Sequence, residues 1–158
     1  EFADFSFRFE FKLEANGNNG VGIRTPAKGN PAYLGMEIQI LDDSGESYQG
    51  KLQPYQYHGS IYGVIPSKTG HMKPVGEWNS QEILCHGSHV RVTLNDYVIV
   101  DAFLDQIDKT MDGQPHPGLH NQAGHIGFLG HGSRVEFRNI RIKELASQAQ
   151  AMPVIGGG

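Results

Sequence analysis

The sequence predicts an all-β domain, a sandwich or barrel of short antiparallel strands. Three observations carry that prediction. Phe5, Phe7, Phe9, Phe11 and Leu13 alternate with Ser6, Arg8, Glu10 and Lys12, the period-two pattern of a half-buried strand. No segment sustains a 3.6-residue apolar period. The 158 residues include 21 glycines and 8 prolines, which punctuate the short apolar runs as turn signals. At this length one domain can bury a real core.

The elements follow in order. Asp4 to Leu13 is the first strand, and Asn16 to Gly20 a turn. Val21 to Thr25 is a short strand with Val21 and Ile23 inward and Arg24 on the opposite face. After the loop Pro26 to Pro31, Tyr33 to Asp42 alternates again, with Met36, Ile38 and Ile40 on one face and Glu37 and Gln39 on the other. Asp42 to Tyr57 reads as a loop, Ser60 to Ile65 as a strand, Pro66 to Gly76 as a loop and Trp78 to Cys85 as a strand. His89 to Leu94 and Tyr97 to Phe103 flank Asn95-Asp96, a two-residue hairpin signal. Leu104 to Ala123 is a long polar excursion. His125 to Leu129 and Arg134 to Lys143 complete the strands, with a bulge at Arg138-Asn139, where the alternation slips by one. The domain thus spans 1–145, and the small, glycine-rich 146–158 reads as a flexible tail.

Composition excludes several function classes. The formal net charge is −4 and charged residues make up 19%, so no basic field draws nucleic acid or anionic membrane. No apolar run approaches the ~20 residues of a membrane span. The single Cys85 forms no internal disulfide or thiolate metal cluster and reads as a buried structural thiol. Gly-x-Ser-x-Gly and phosphate-loop motifs are absent, which removes serine hydrolases of that type and nucleotide enzymes. The chain enters a strand almost at once after Glu1, which suggests a fragment or a mature form; no signal peptide is visible and the residues do not set a compartment.

The polar row Glu37, Gln39, Asp42 is the main chemical signal. Buried polar groups need partners, so such a row suits the floor of a groove that holds a hydroxyl-rich ligand. Paired carboxylates serve sugar chemistry, one giving a proton while the other takes one or stabilises positive charge. The alternative is a solvated outer face of an edge strand. Arg24 could fork onto Glu37 or a ligand, or be an ordinary surface arginine. The eight histidines are scattered without helical ligand spacing. His131 stands out because Gly130 and Gly132 let it approach a ligand closely. Trp78, Tyr62, Tyr55 and Tyr57 offer flat rings for a pyranose face, or core packing.

Taken together, Asn19-Gly20-Val21-Gly22-Ile23-Arg24, Met36-Glu37-Ile38-Gln39-Ile40-Leu41-Asp42, Gly59-Ser60-Ile61-Tyr62-Gly63, Gly76-Glu77-Trp78-Asn79, Gly130-His131-Gly132 and Val135-Glu136-Phe137-Arg138-Asn139-Ile140-Arg141-Ile142 occur in an order that resembles the bacterial 3-keto-disaccharide hydrolase family, over about Asp4 to Leu145. The resemblance implies a two-sheet antiparallel sandwich, a concanavalin-like jelly roll. It also implies a further strand ahead of Asp4, a carbohydrate partner and a periplasmic or extracellular setting. Glu37-Ile38-Gln39-Ile40-Leu41-Asp42 is similar, too, to the Glu-x-Asp-x-x-Glu strand of family-16 glycoside hydrolases, but Gln39 and Asp42 replace the second and third acids.

For a glucoside already oxidised at carbon 3, the resemblance implies base removal of the carbon-2 hydrogen, loss of the carbon-1 substituent and hydration of the product. The expected catalytic set is Glu37, Gln39, Asp42 and His131, with Glu37 or His131 as base, Arg24 or Gln39 on the oxyanion and Asp42 assisting the leaving group. Arg24, His58, Tyr62 and Trp78 are the expected substrate contacts. No cofactor is demanded, and a divalent metal on His131 and Glu37 is the alternative to Arg24. The rivals are a carbohydrate-binding module without catalysis, an ordinary family-16-like glycosidase, and an interaction domain of a larger enzyme.

Overall fold

The computed structural model describes residues 1–147, so the tail expected over 146–158 lies, beyond Ser147, outside the described residues. Eight strands are present among them: β1 (Phe5–Leu13), β2 (Asn18–Thr25), β3 (Met36–Leu41), β4 (Asn79–His86), β5 (His89–Leu94), β6 (Tyr97–Phe103), β7 (His125–Phe128) and β8 (Val135–Glu144). They form a five-stranded sheet in the order β6-β5-β4-β1-β8 and a three-stranded sheet in the order β3-β2-β7. All the pairings are antiparallel. The molecule is a two-sheet sandwich of the jelly-roll type.

The alternation of β1 sets the core. Its five inward side chains, Phe5, Phe7, Phe9, Phe11 and Leu13, pack against Val21, Ile23, Met36, Ile38 and Ile40 from the smaller sheet. Each such side chain contributes about 1.5–3 kcal/mol through removal from water. Cys85 is buried in the same core as a free thiol whose pKa burial pushes up to about 12, the inert structural role expected of it.

Several elements differ from the sequence reading, each for a local reason: β2 starts at Asn18, inside the expected Asn16 to Gly20 turn, because Asn18, Asn19 and Gly20 pair with Leu41, Ile40 and Gln39. The expected strand from Tyr33 is a strand only over Met36–Leu41; Pro31–Leu34 forms one helical turn, α1, because the Asn30 side chain accepts the Ala32 amide at 3.0 Å and Pro31 occupies the first turn. The expected strand Ser60–Ile65 is broken by Gly59 and Gly63, at φ 83° and 77°. It still borders β3 through Gly59 N–H to Gln39 O (2.8 Å), Gln39 N–H to Ser60 O (3.0 Å) and Tyr62 N–H to Glu37 O (2.9 Å). The excursion Leu104 to Ala123 carries two short 3₁₀ turns, Leu104–Gln106 and Pro117–His120. The bulge is where the alternation placed it: Asn139 has φ 52°, and the β1–β8 register shifts opposite it between Arg8 and Glu10.

Candidate functional site

Register places the site. Glu37 lies opposite Gly22, Gln39 opposite Gly20 and Leu41 opposite Asn18. Directly opposed residues of an antiparallel pair share a face. Because Met36, Ile38 and Ile40 point into the sandwich, Glu37, Gln39 and Leu41 point away from it. Glycine on β2 keeps this face low. A Cβ on Gly20 would come within 2.3 Å of Glu37 Oε1, so the carboxylate rests directly over Gly20.

Three segments wall the floor. Tyr48, Leu52, Gln56 and Tyr62 come from the long segment after β3, Asn30, Ala32 and Tyr33 from α1 and its cap, and His131 from the loop after β7. With Asn18, Glu37, Gln39 and Leu41 they enclose a cavity of about 330 Å³. Glu37 is only 8% exposed, and His131 Nε2 stands 3.7 Å from its Oε1. Burial raises the Glu37 pKa; the facing imidazole opposes that rise without cancelling it.

The remaining polar groups are held in place. Gln39 Nε2 donates to Gln56 O (3.1 Å), and Gln56 Nε2 donates to the Tyr62 hydroxyl (3.4 Å). Tyr62 meets Tyr55 edge-on at 5.7 Å. The Tyr48 hydroxyl donates to Asn16 O (3.0 Å). Tyr33 packs on the His116 ring at 4.7 Å, and that ring lies between Ala32 O (3.1 Å from Nδ1) and the Asp112 carboxylate (2.9 Å from Nε2). Asn18 lines the cavity, and its Oδ1 is buried without a protein partner.

Of the residues expected from sequence, Glu37, Gln39, Tyr62 and His131 share this cavity. The other four sit elsewhere. Arg24 is 2% exposed; its guanidinium donates to Ala3 O and Gly87 O and pairs with Asp4 at 3.1 Å, so it holds the start of the chain to the β4–β5 turn and not an oxyanion beside Glu37. Asp42 accepts from Asn16 N–H and Ser44 Oγ, both at 2.9 Å, and fixes the β1–β2 turn. His58 is fully within the protein: Leu41 N–H donates to its Nδ1 (3.2 Å) and its Nε2 donates to Gln81 Oε1 (2.7 Å). Burial drives its pKa down to about 4. Trp78 precedes β4 and stacks under Arg138 (3.9 Å) and Lys12 (5.1 Å), away from the cavity.

For a metal, Glu37 and His131 offer two donors. Among the described residues no group of three or more His, Cys, Asp or Glu side chains comes together, so any cation here would rest on these two donors and on oxygens that water or substrate supplies. Sequence reasoning missed Asn18, Asn30, Tyr33, Tyr48 and Gln56. Asn18 carried a signal: it continues the Gly20, Gly22 face by period two. The others come from loops and have no such periodicity.

Over residues 1–143 the sequence matches a family described as the 3-keto-alpha-glucoside-1,2-lyase-like domain. A 3-keto-disaccharide hydrolase of Bacteroides thetaiotaomicron is 29% identical over 174 aligned residues, covering 92% of this chain and 60% of that protein; the chain therefore spans about 60% of that relative's length. Among solved structures, a candidate glycosyl hydrolase of Parabacteroides distasonis superposes with a TM-score of 0.81 at 32% identity, covering 92% of this chain and 79% of that one. The carbohydrate-binding module CBM66 of Bacillus subtilis superposes with a TM-score of 0.57 at 12% identity over 90% of this chain and 76% of its own, a likeness of fold alone.

Proposed function

The chain belongs to the 3-keto-alpha-glucoside-1,2-lyase-like domain family, and from that premise we propose that it cleaves 3-keto-glycosides by elimination across carbons 1 and 2 followed by hydration. The observation that carries the reading is one buried carboxylate, Glu37, facing His131 at 3.7 Å in a cavity otherwise lined by amides, phenols and apolar groups.

A ketone at carbon 3 acidifies the hydrogen on carbon 2. Glu37, made a stronger base by burial, takes that proton, and the electron pair forms an enolate. The second N–H of Gln39 Nε2, the first being fixed on Gln56 O, donates to the enolate oxygen. The enolate then expels the oxygen on carbon 1, which receives a proton from His131. Water adds its hydroxyl to carbon 1 and a proton to carbon 2, and the net change is hydrolysis. Glu37 and His131 are close enough to pass the remaining proton between them through one water. A family-16 double displacement needs two carboxylates about 5–5.5 Å apart; here Asp42 is engaged with Asn16 and Ser44.

The test compares a 3-keto-glucoside with the unoxidised glucoside. Cleavage of the first alone is expected, and Glu37→Gln lowers kcat by about 10²–10⁴ while sugar binding persists. Cleavage of the unoxidised glucoside alone would overturn elimination in favour of an ordinary glycosidase. Sugar binding without turnover of either compound identifies a binding module instead.

A further inference from the structure

We infer that a second cavity beside the first is the leaving-group subsite, and that it is shaped for a planar aryl aglycone in preference to a second sugar. The inference rests on the proposed function and deepens it. Across the smaller sheet, Glu37 lies opposite Gly22, and Gly22 opposite Gly127. With strands about 4.8 Å apart, this row runs about 10 Å from the β3 backbone, room for one ring beyond the one held over Glu37. A cavity of about 370 Å³, lined by Gly22 and Gly127, opens at the end of the row away from Glu37.

Its walls differ in kind from those of the first cavity. Ideal Cβ placement on Gly22 falls 3.2 Å from Thr25 Cγ2, 3.4 Å from Pro31 Cβ and 3.6 Å from Leu129 Cδ1, so methyl and methylene groups surround the floor. Pro26 and Ala27 extend the apolar lining. Thr25 and His125 are the polar side chains there, and both are engaged: Thr25 Oγ1 donates to His125 O (3.4 Å), and His125 Nε2 stands 3.6 Å from Glu1 Oε1. A second sugar would bring hydroxyls that find few partners on these walls, at a desolvation cost. An aromatic ring would lie over Gly127, where a Cβ meets nothing within 4 Å, and pack against the proline and leucine edges that close over Gly22. The amide-lined cavity takes the keto-sugar on the other side of Glu37, which places the bond to be broken at the boundary between the two.

Gly127 supplies the test. A Cβ there meets nothing within 4 Å, and its φ is not positive, so Gly127→Val projects into the cavity without backbone strain on a strand that favours β-branched residues. Melting temperature checks the fold. The ratio of kcat/KM for phenyl 3-keto-glucoside over methyl 3-keto-glucoside is expected to fall at least tenfold in Gly127→Val. An unchanged ratio overturns the subsite. Binding of unoxidised phenyl glucoside, against methyl glucoside, is measured in parallel by calorimetry. If no 3-keto-glucoside is cleaved, the functional reading fails, yet selective loss of phenyl glucoside binding in Gly127→Val still supports the aryl subsite, and equal binding of both glucosides by both proteins overturns it.

Discussion

At Glu37 two forces oppose each other. Removal from water favours the neutral acid, the nearby imidazole favours the carboxylate, and burial wins, leaving the pKa above its ordinary 4.5. A base must be ionised, so kcat/KM on a 3-keto-glucoside is expected to fall as pH drops through this raised pKa. The acid limb of the pH–rate profile then lies above the usual carboxylate range. His131→Gln removes the opposing charge and moves that limb further up in pH; a limb that stays put would separate it from Glu37. Arg24 is the counterexample. Its guanidinium is buried against Asp4, so Arg24→Met is expected to cost about 3–5 kcal/mol in denaturant unfolding, with KM unchanged in the protein that remains folded. The polarity of both residues was legible in the strand pattern, but only Glu37 keeps the face that the pattern assigns. Arg24 has φ 47° and lies where the β2–β7 register shifts between Gly22 and Thr25, which turns its side chain off the outer face. Period two cannot reveal a kink of that kind.

Among the elements, strands with uninterrupted alternation and turns with a two-residue signal were readable, and segments governed by glycine conformation were not. The hairpin between β5 and β6 shows the first case. Asn95 and Asp96 take φ 47° and 70°, the left-handed pair that a two-residue turn requires, and the Asn95 side chain accepts from Ser80 N–H (2.9 Å) and donates to His71 O (2.9 Å). Asp96→Gly relieves the positive φ at the second position and is expected to stabilise the domain by up to about 1 kcal/mol, read as a rise in melting temperature. The segment after β3 shows the second case. Its backbone bonds to β3 bring Tyr62 beside Glu37, yet Gly59 and Gly63 bend it out of strand geometry. His58 anchors its near end as a buried neutral ring whose folded pKa, about 4, lies below the unfolded 6.5. The unfolded chain therefore binds the extra proton between these values, and stability falls as pH drops from about 6.5 toward 4. The loss is at most about 3 kcal/mol. His58→Gln is expected to flatten the dependence of unfolding free energy on pH over that window.

On the scale of the whole molecule, the sandwich is closed over most of its core and open along one side. β7 ends the smaller sheet and β8 the larger, each with a free edge among the described residues. On β8, Phe137 pairs with Phe11 and Ile142 with Phe7, so its inward row continues the core. That row is not covered at its far end: Ile140 is 52% exposed and Ile142 37%, and Phe128 on β7 is 36% exposed although it stacks on Phe137 at 3.8 Å. Apolar side chains at core-facing positions of an unpaired edge invite another strand. The 158-residue chain by itself is therefore expected to self-associate with rising concentration, seen as a growing weight-average mass in sedimentation or light scattering. Ile140→Thr with Ile142→Thr keeps the β-propensity of the edge while removing apolar surface, and should shift that association to at least several-fold higher concentration without loss of the Glu37 cavity, which lies on the opposite face of the smaller sheet. If the unmodified chain stays monomeric across the same range, the edge is self-sufficient and the exposed isoleucines need no covering strand.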